Sequence, residues 1–342
     1  MKKITAFALA LAMALSLAAC GGSKTPSQQP TENQTTEPAA EKTVTLKMAS
    51  GYGIDHVITK CGDEIAARVK EKSNGSIIIE HFPSNQLGST NERSMMLLGG
   101  DVDINLEALS EYDSYNPEQG VVSAFFMFKN WDHYKKFMVS DLYKGILSDL
   151  EKAAGITYLG EVYTASRQMI TNKEVTSLAD LQGLKMRVPN QEMPIAFVNA
   201  IGAVAVPLPG SETYTACQNG TVSGLENGAE QIVTQAFYEV APYMIYTNHQ
   251  IQTITLFMNN ESKAKLSDNQ YQILSEVIAE VTSEYNELAR NAEKEKEAFL
   301  EETITCSTID LTDFYAACES AYEEYDSVWG DGVWEQIRAM AE

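Results

Sequence analysis

Asp180-Leu181-Gln182-Gly183-Leu184-Lys185-Met186-Arg187-Val188-Pro189 is the stretch on which the reading of the fold turns. Leu184–Val188 predicts a strand. Asn190 can cap a helix that carries Ile195, Val198 and Ile201 and is stopped by Gly202. A further strand, Val204–Leu208, ends in Pro209-Gly210, and Ser211 caps a helix that closes at Asn219-Gly220. The same rhythm runs toward the N-terminus: strand Val44–Ala49, amphipathic helix Val57–Lys72, strand Ser76–His81, a helical segment closing at Leu97 and Leu98, and strand Val102–Leu106. Strands alternating with helices predict an α/β fold, here of two lobes with a central cleft. Ligands of such sheets bind outside the carboxyl ends of the strands.

Toward the C-terminus, Ser267 and Gln270 form a capping-box pattern ahead of an extended apolar stripe. Tyr271, Leu274, Val277, Val281, Tyr285, Leu288 and Ala292 follow at three- and four-residue steps, and the pattern runs to about Glu302. Such a helix would be about 50 Å long, more than one lobe of this size needs. The polar Glu293–Glu297 interruption argues against a coiled coil and for a beam crossing both lobes.

The start of the chain gives an address. Lys2 and Lys3 precede an apolar run from Ile4 to Leu17, and Leu17-Ala18-Ala19-Cys20 follows, the pattern of a secretory signal peptide. Leu-Ala-Ala-Cys-Gly resembles the bacterial lipobox, which makes residues 1–20 a lipoprotein signal peptide and Cys20 the acylated first residue of the mature chain. Residues 21–43, rich in Ser, Thr, Gln, Pro and Glu, are expected to be a disordered tether with a reach of about 25 Å. The side chains carry a net charge of −22, and removing Met1–Cys20 takes away two lysines and no acid, leaving −24. A body this acidic repels phosphates, so nucleic acid is excluded as a partner. His56, His81, His133 and His249 show no metal-ligand spacing, and no metal or cofactor is expected. Cys61 and Cys217 read as buried small hydrophobes. Cys306 and Cys318 lie in a compartment that permits disulfides, and the sequence leaves their pairing open.

The stretch 180–189 resembles the D-L-x-G-L-K-x-R-V-P segment of the DctP-type solute-binding proteins, the extracytoplasmic receptors of tripartite ATP-independent periplasmic (TRAP) transporters. The resemblance continues through Gly202-Ala203, Pro207, Glu212-Thr213-Tyr214-Thr215-Ala216, Gln218-Asn219-Gly220, Gly224, Glu226-Asn227, Tyr238-Glu239-Val240 and Thr247-Asn248-His249. Upstream, Glu71-Lys72-Ser73-Asn74-Gly75 and Gln86-Leu87-Gly88 fit as well, so it covers essentially Val44 to the C-terminus. It implies a periplasmic-binding-protein-like fold: two α/β lobes joined by crossing strands, with a long helix spanning both. Lobe I is expected to hold residues 44–164 and 253–292, and lobe II residues 165–252 and 293–342.

The resemblance also implies a cleft in which an arginine, by position Arg187, receives a ligand carboxylate. A planar guanidinium offers two parallel N–H donors that lysine cannot reproduce. Arg167 falls where the family often has a second ligand-contacting arginine, with a surface salt bridge as its alternative. Asn227 aligns with a cleft asparagine, but Gly228 replaces the proline that usually follows it. Glu92 sits near an acidic contact that follows Q-L-G, with two extra residues here. Tyr52, after the first strand, can close over a ligand or simply pack. The implied function is capture of a carboxylate-bearing small molecule, a C4-dicarboxylate or a sugar acid such as a uronate. Delivery is to the small and large TRAP membrane subunits by a monomer without enzymatic activity. Presentation of a ligand to a sensor or another importer is the alternative. A surface-anchored hydrolase finds no support, because the chain has no G-x-S-x-G, no H-E-x-x-H and no Cys/His signature.

Overall fold

A computed structural model of the chain describes residues 41–341. The export signal, Cys20 and nearly all of the predicted tether therefore lie outside the described residues. The alternating N-terminal run folds into β1 (Val44–Ser50), β2 (Ile77–Phe82) and β3 (Ile104–Glu107), with β1 parallel to both neighbours. The helix Val57–Lys72 between β1 and β2 buries Val57, Ile58, Cys61, Ile65 and Val69, the three- and four-residue spacing of one helical face. Two strands that the sequence reading did not find follow, separated by the second α/β unit. They are β4 (Ile156–Thr171) and β8 (Tyr243–Asn259); between them lie β5 (Lys185–Val188), β6 (Val204–Pro207) and β7 (Gly224–Asn227), of which the short β7 was not predicted either. The short β9 (Thr305–Ser307) pairs with β8.

All nine strands form one sheet. Its main order is β2-β1-β3-β8-β4-β7-β5-β6. β1–β3 make the sheet of one lobe and β5–β7 that of the other, while β4 and β8 pair antiparallel along their length and run through both. The expected lobe crossings near residues 164 and 252 fall inside these two strands. The helix Glu192–Ala200 starts after Gln191, not Asn190, and makes no side-chain cap. Gly202 ends it with φ +81°, a left-handed conformation that a Cβ would strain. Ser211 lies in a 3₁₀ turn, Gly210–Glu212, and the helix it was expected to cap is Thr213–Gln218.

The predicted capping box is present: Ser267 accepts from the Gln270 amide, Gln270 bonds back, and the helix runs Asp268–Thr303 without a break. Its 36 residues span about 54 Å. It packs against the Val57–Lys72 helix of one lobe and the Ala229–Thr234 helix of the other, so it does cross both. The structure explains the polar interruption in its stripe. β4 carries bulges at Tyr163/Ala165 and Arg167/Met169, which break its ladder with β8. The helix supplies acceptors there: Asn286 Oδ1 takes the Tyr163 amide at 2.7 Å and Glu293 Oε1 takes the Ser166 amide at 2.6 Å. The penultimate helix of the described residues, Thr312–Trp329, packs on the Glu192–Ala200 helix and also on the Pro117–Ser123 segment, bracing both halves. Cys306 and Cys318 are free thiols.

Burying acids to tie the sheet together has a consequence for stability. Burial pushes the Glu161 carboxyl up to about 7 despite hydrogen bonds from Tyr143 and Thr253. It pushes Glu293 up to about 7 despite bonds from Tyr163 and Ser166. A carboxyl raised above its ordinary 4.5 stabilises the fold fully below that value and less as pH rises through 7. The ligand-free protein should therefore melt higher at pH 5.5 than at pH 8.5. Glu161→Gln should raise the melting temperature at pH 8.5 and narrow that gap. Equal melting temperatures in the wild type, or a wider gap in the variant, would count against this account.

Candidate functional site

The carboxyl ends of β1, β3, β5 and β7 converge on one place. Tyr52 lies just past β1, Glu107 ends β3, Arg187 is next to last in β5 and Asn227 ends β7; all line a cavity of about 170 Å³. β4 and β8 contribute Arg167 and Gln252, and the turns after β3 and β5 contribute Glu111 and Gln191. Larger hollows of about 620 and 870 Å³ open beside Tyr271 and beside Trp131. Their cations are partly solvated, and Arg290 and Arg338 already pair with Glu287 and Glu319.

Arg167 and Arg187 occupy the same cleft in different electrostatic states. Arg167 is 6% exposed and meets the fully buried Glu226 side-on, through Nε to Oε2 and through Nη2 to Oε1 at 2.7 Å. Nη2 also reaches the Glu226 carbonyl at 2.8 Å, and Nη1 donates to Asn227 Oδ1 at 3.2 Å and Gln252 Oε1 at 2.7 Å. These five contacts use all five N–H donors of the guanidinium. Burial alone would raise the Glu226 carboxyl; the Arg167 charge and bonds from His249 and Arg167 bring it down to about 2. Burial holds His249 neutral, below its ordinary value. Its Nε2–H then donates to Glu226 at 3.2 Å while Nδ1 accepts from the Thr247 hydroxyl at 2.8 Å.

Arg187 has no such partner. It is 6% exposed, and its Nε and Nη2 donate to the Leu208 carbonyl at 3.0 and 2.7 Å. Its Nη1 has no acceptor among the described residues, and no carboxylate pairs with it. Burial, with Arg167 adding to it and Glu226 opposing, pushes the Arg187 guanidinium down to about 10. It remains a cation at neutral pH, buried without compensation and lining a cavity. An anion is what this arrangement lacks.

The structure thus brings Arg187, Arg167, Asn227 and Tyr52 together, with qualifications. Arg167 is no surface salt bridge, yet it keeps no free donor for a carboxylate. Asn227 Oδ1 accepts from Arg167 and from the Gly228 amide, leaving its NH₂ otherwise free. Gly228 keeps a proline-like φ of −74°. A Cβ there would come within 2.1 Å of the Ala165 Cβ, so in this chain close packing on β4 demands the glycine. Tyr52 is buried and stacks on His56 at 4.4 Å. Glu92 is not in the cleft. Its exposed carboxylate closes a capping box, taking the Ser89 amide and hydroxyl at 2.7 Å each, because the helix Thr90–Gly99 begins there. Besides Glu226, the acids that do line the cleft are Glu107 and Glu111. Glu107 binds the buried Arg93 at 2.5 Å. The rule that places Arg187 at a strand's carboxyl end points equally to Glu107, one residue past the predicted strand Val102–Leu106.

Two of the hydrogen bonds among the described residues join the lobes beside the cleft. Gln191 Nε2 donates to Glu111 Oε1, and Glu230 Oε1 takes the Val57 amide, in the first turn of the Val57–Lys72 helix, at 3.2 Å. Burial keeps His56 neutral, at about 3, so its 3.5 Å approach to Glu230 is not an ion pair at neutral pH.

This architecture has close counterparts. The family model of the bacterial extracellular solute-binding proteins, family 7, matches residues 52–327. The sialic acid-binding periplasmic protein SiaP of Vibrio cholerae is 28% identical over 297 residues, 86% of this chain and 92% of that protein. The C4-dicarboxylate-binding periplasmic protein DctP of Rhodobacter capsulatus is 27% identical over 303 residues, 88% and 90% of the two chains. A TRAP periplasmic solute-binding protein from Pseudomonas putida, solved with bound D-glucuronate, superposes with a TM-score of 0.82 at 25% identity, over 86% of this chain and 97% of that one. A TRAP periplasmic solute-binding protein from Shewanella oneidensis, solved with bound succinate, shares the fold with a TM-score of 0.84 at 21% identity, over 88% and 100% of the chains. A family match across four fifths of the chain, on a fold with two lobes and a cleft cation, has one conclusion: the chain belongs to the bacterial extracellular solute-binding proteins of family 7, extracytoplasmic receptors of TRAP transport.

Proposed function

We propose that the protein is a lipid-anchored receptor that captures a carboxylate-bearing small molecule in the cleft beneath β4 and β8 and delivers it to the small and large membrane subunits of a TRAP transporter. One observation carries the ligand class: a buried guanidinium, Arg187, lines the cavity with no acid to pair with. A carboxylate arriving there removes the cost of an unpaired buried charge, and excluding water strengthens the pair. Arg167 acts through position: clamped by Glu226, it holds Asn227 and Gln252 at the cavity wall. Asn227 and Tyr52 are proposed as further ligand contacts. No catalytic step is assigned; binding, closure and release are the whole cycle. Relatives named for sialic acid or C4-dicarboxylates, and a uronate-bound structure, support an organic acid as the cargo.

Arg187→Ala should weaken binding of the ligand by about 30-fold to several thousand-fold in calorimetry, the 2–5 kcal/mol expected for removing one partner of a buried charge pair. Arg187→Lys should recover only part, since it restores charge without the planar fork. Affinity within threefold of wild type in Arg187→Ala would sink the assignment.

The anchor is a separate proposal, resting on Leu17–Cys20. Expressed in a bacterium, the protein should fractionate with membranes, and Cys20→Ser should leave it uncleaved and without acyl mass by mass spectrometry. Acylation persisting in that variant would place the anchor elsewhere.

A further inference from the structure

The charges around the cleft cancel in pairs, except for two. Arg167 is matched by Glu226, and Glu107 by Arg93, which lies fully buried behind it. What remains is Arg187 in the β5–β7 lobe and Glu111 in the β1–β3 lobe. Glu111 has only an amide for company: Gln191 donates to Oε1, and no Lys or Arg pairs with it among the described residues. Burial, with repulsion from Glu107 adding to it and the Gln191 bond and Arg93 opposing, pushes its carboxyl up to about 7, so it is fully ionised only above that pH. Glu107 uses Oε2 for Arg93 and accepts the Ala108 amide at 3.2 Å through Oε1. The wall that carries Glu107 and Glu111 therefore offers carboxylate oxygens to whatever the arginine holds. Carboxylates accept hydrogen bonds and, when ionised, donate none. Across a small cavity they attract hydroxyl or ammonium donors and, when ionised, repel a second carboxylate.

We infer that the ligand is a monocarboxylate whose far end carries hydrogen-bond donors, with Arg187 binding the carboxylate and Glu111 selecting the donors against a dicarboxylate. This rests on the reading of the cleft as a carboxylate site and narrows it. It separates the two cargo classes that the relatives leave side by side, placing this chain away from C4-dicarboxylates. Hydroxyl and ammonium donors satisfy Glu111 in the same way, and the test has an arm for each.

The full chain is titrated by calorimetry at pH 8.5, where Glu111 is ionised, with succinate, D-glucuronate and 4-aminobutyrate, wild type beside Glu111→Gln. The variant keeps the Oε1 acceptor for Gln191 but removes the charge and turns the second oxygen into an amide donor, and a melting curve verifies that it folds. In the wild type, D-glucuronate or 4-aminobutyrate should bind at least a hundredfold more tightly than succinate, and the tighter of the two identifies the donor. In Glu111→Gln, succinate binding should strengthen at least tenfold while the donor-bearing acid weakens. Succinate binding as well as the best donor-bearing acid in wild type, or succinate affinity unchanged by the substitution, overturns the inference and leaves the carboxylate site standing. If no acid binds either protein, the inference falls together with the carboxylate reading of the cleft.

Discussion

β4 and β8 are held side by side for the length of some sixteen residues, and the rest of the molecule is arranged around that pairing. Because both strands pass through both lobes, the β1–β3 and β5–β7 sheets are extensions of one ladder, not separate domains on a linker. Their carboxyl ends are thereby turned toward a common space. A pairing this long also accumulates twist and irregularity, and its bulges leave amides that no strand can satisfy. The long helix answers them with Asn286 and Glu293, so the beam that spans the lobes is hydrogen-bonded to the strands that join them. Relative movement of the lobes has to be absorbed along these shared elements.

The same strands organise the charges. Arg167 sits on β4 and Glu226 on the adjacent β7, which puts a buried ion pair, oriented by His249, at the roof of the cleft. Such a pair contributes little net stability compared with apolar packing, but removing one partner is costly. Its service is geometric: it spends all of Arg167's donors inside the protein and leaves Arg187 as the cation with donors to spare. In a body of charge −24 after the predicted cleavage, one uncompensated guanidinium behind low-dielectric walls is a local field of the opposite sign. Global charge sets solubility and repels nucleic acid; the ligand responds to the local field.

Lobe contacts are also charge-economical. Glu230 takes the first-turn amide of the Val57–Lys72 helix, where the helix dipole favours an acceptor, and Gln191 meets Glu111 without a full counter-charge. Each is a single hydrogen bond, worth about 1 kcal/mol net, a modest tie between lobes that have to move apart to admit a ligand.

By itself, the sequence determined the parts whose cause is local. The Val57–Lys72 helix, the short parallel strands β1, β2, β3, β5 and β6 and the Ser267 capping box depend on periodicity and cap chemistry within a few residues, and they appear where the pattern puts them. Arg187 was legible because one motif fixes both its strand and its distance from the strand's end. β4 and β8 were not, because long strands buried on both faces in the middle of a sheet need no simple alternation, and their bulges break what alternation there is. Tertiary structure alone decided which arginine is free. Arg167 and Arg187 look alike as residues; only the approach of Glu226 across the β4–β7 ladder distinguishes them. It likewise moved the acidic wall from Glu92, which a helix N-terminus claims for its own amides, to Glu107 and Glu111, which the fold turns toward the cavity.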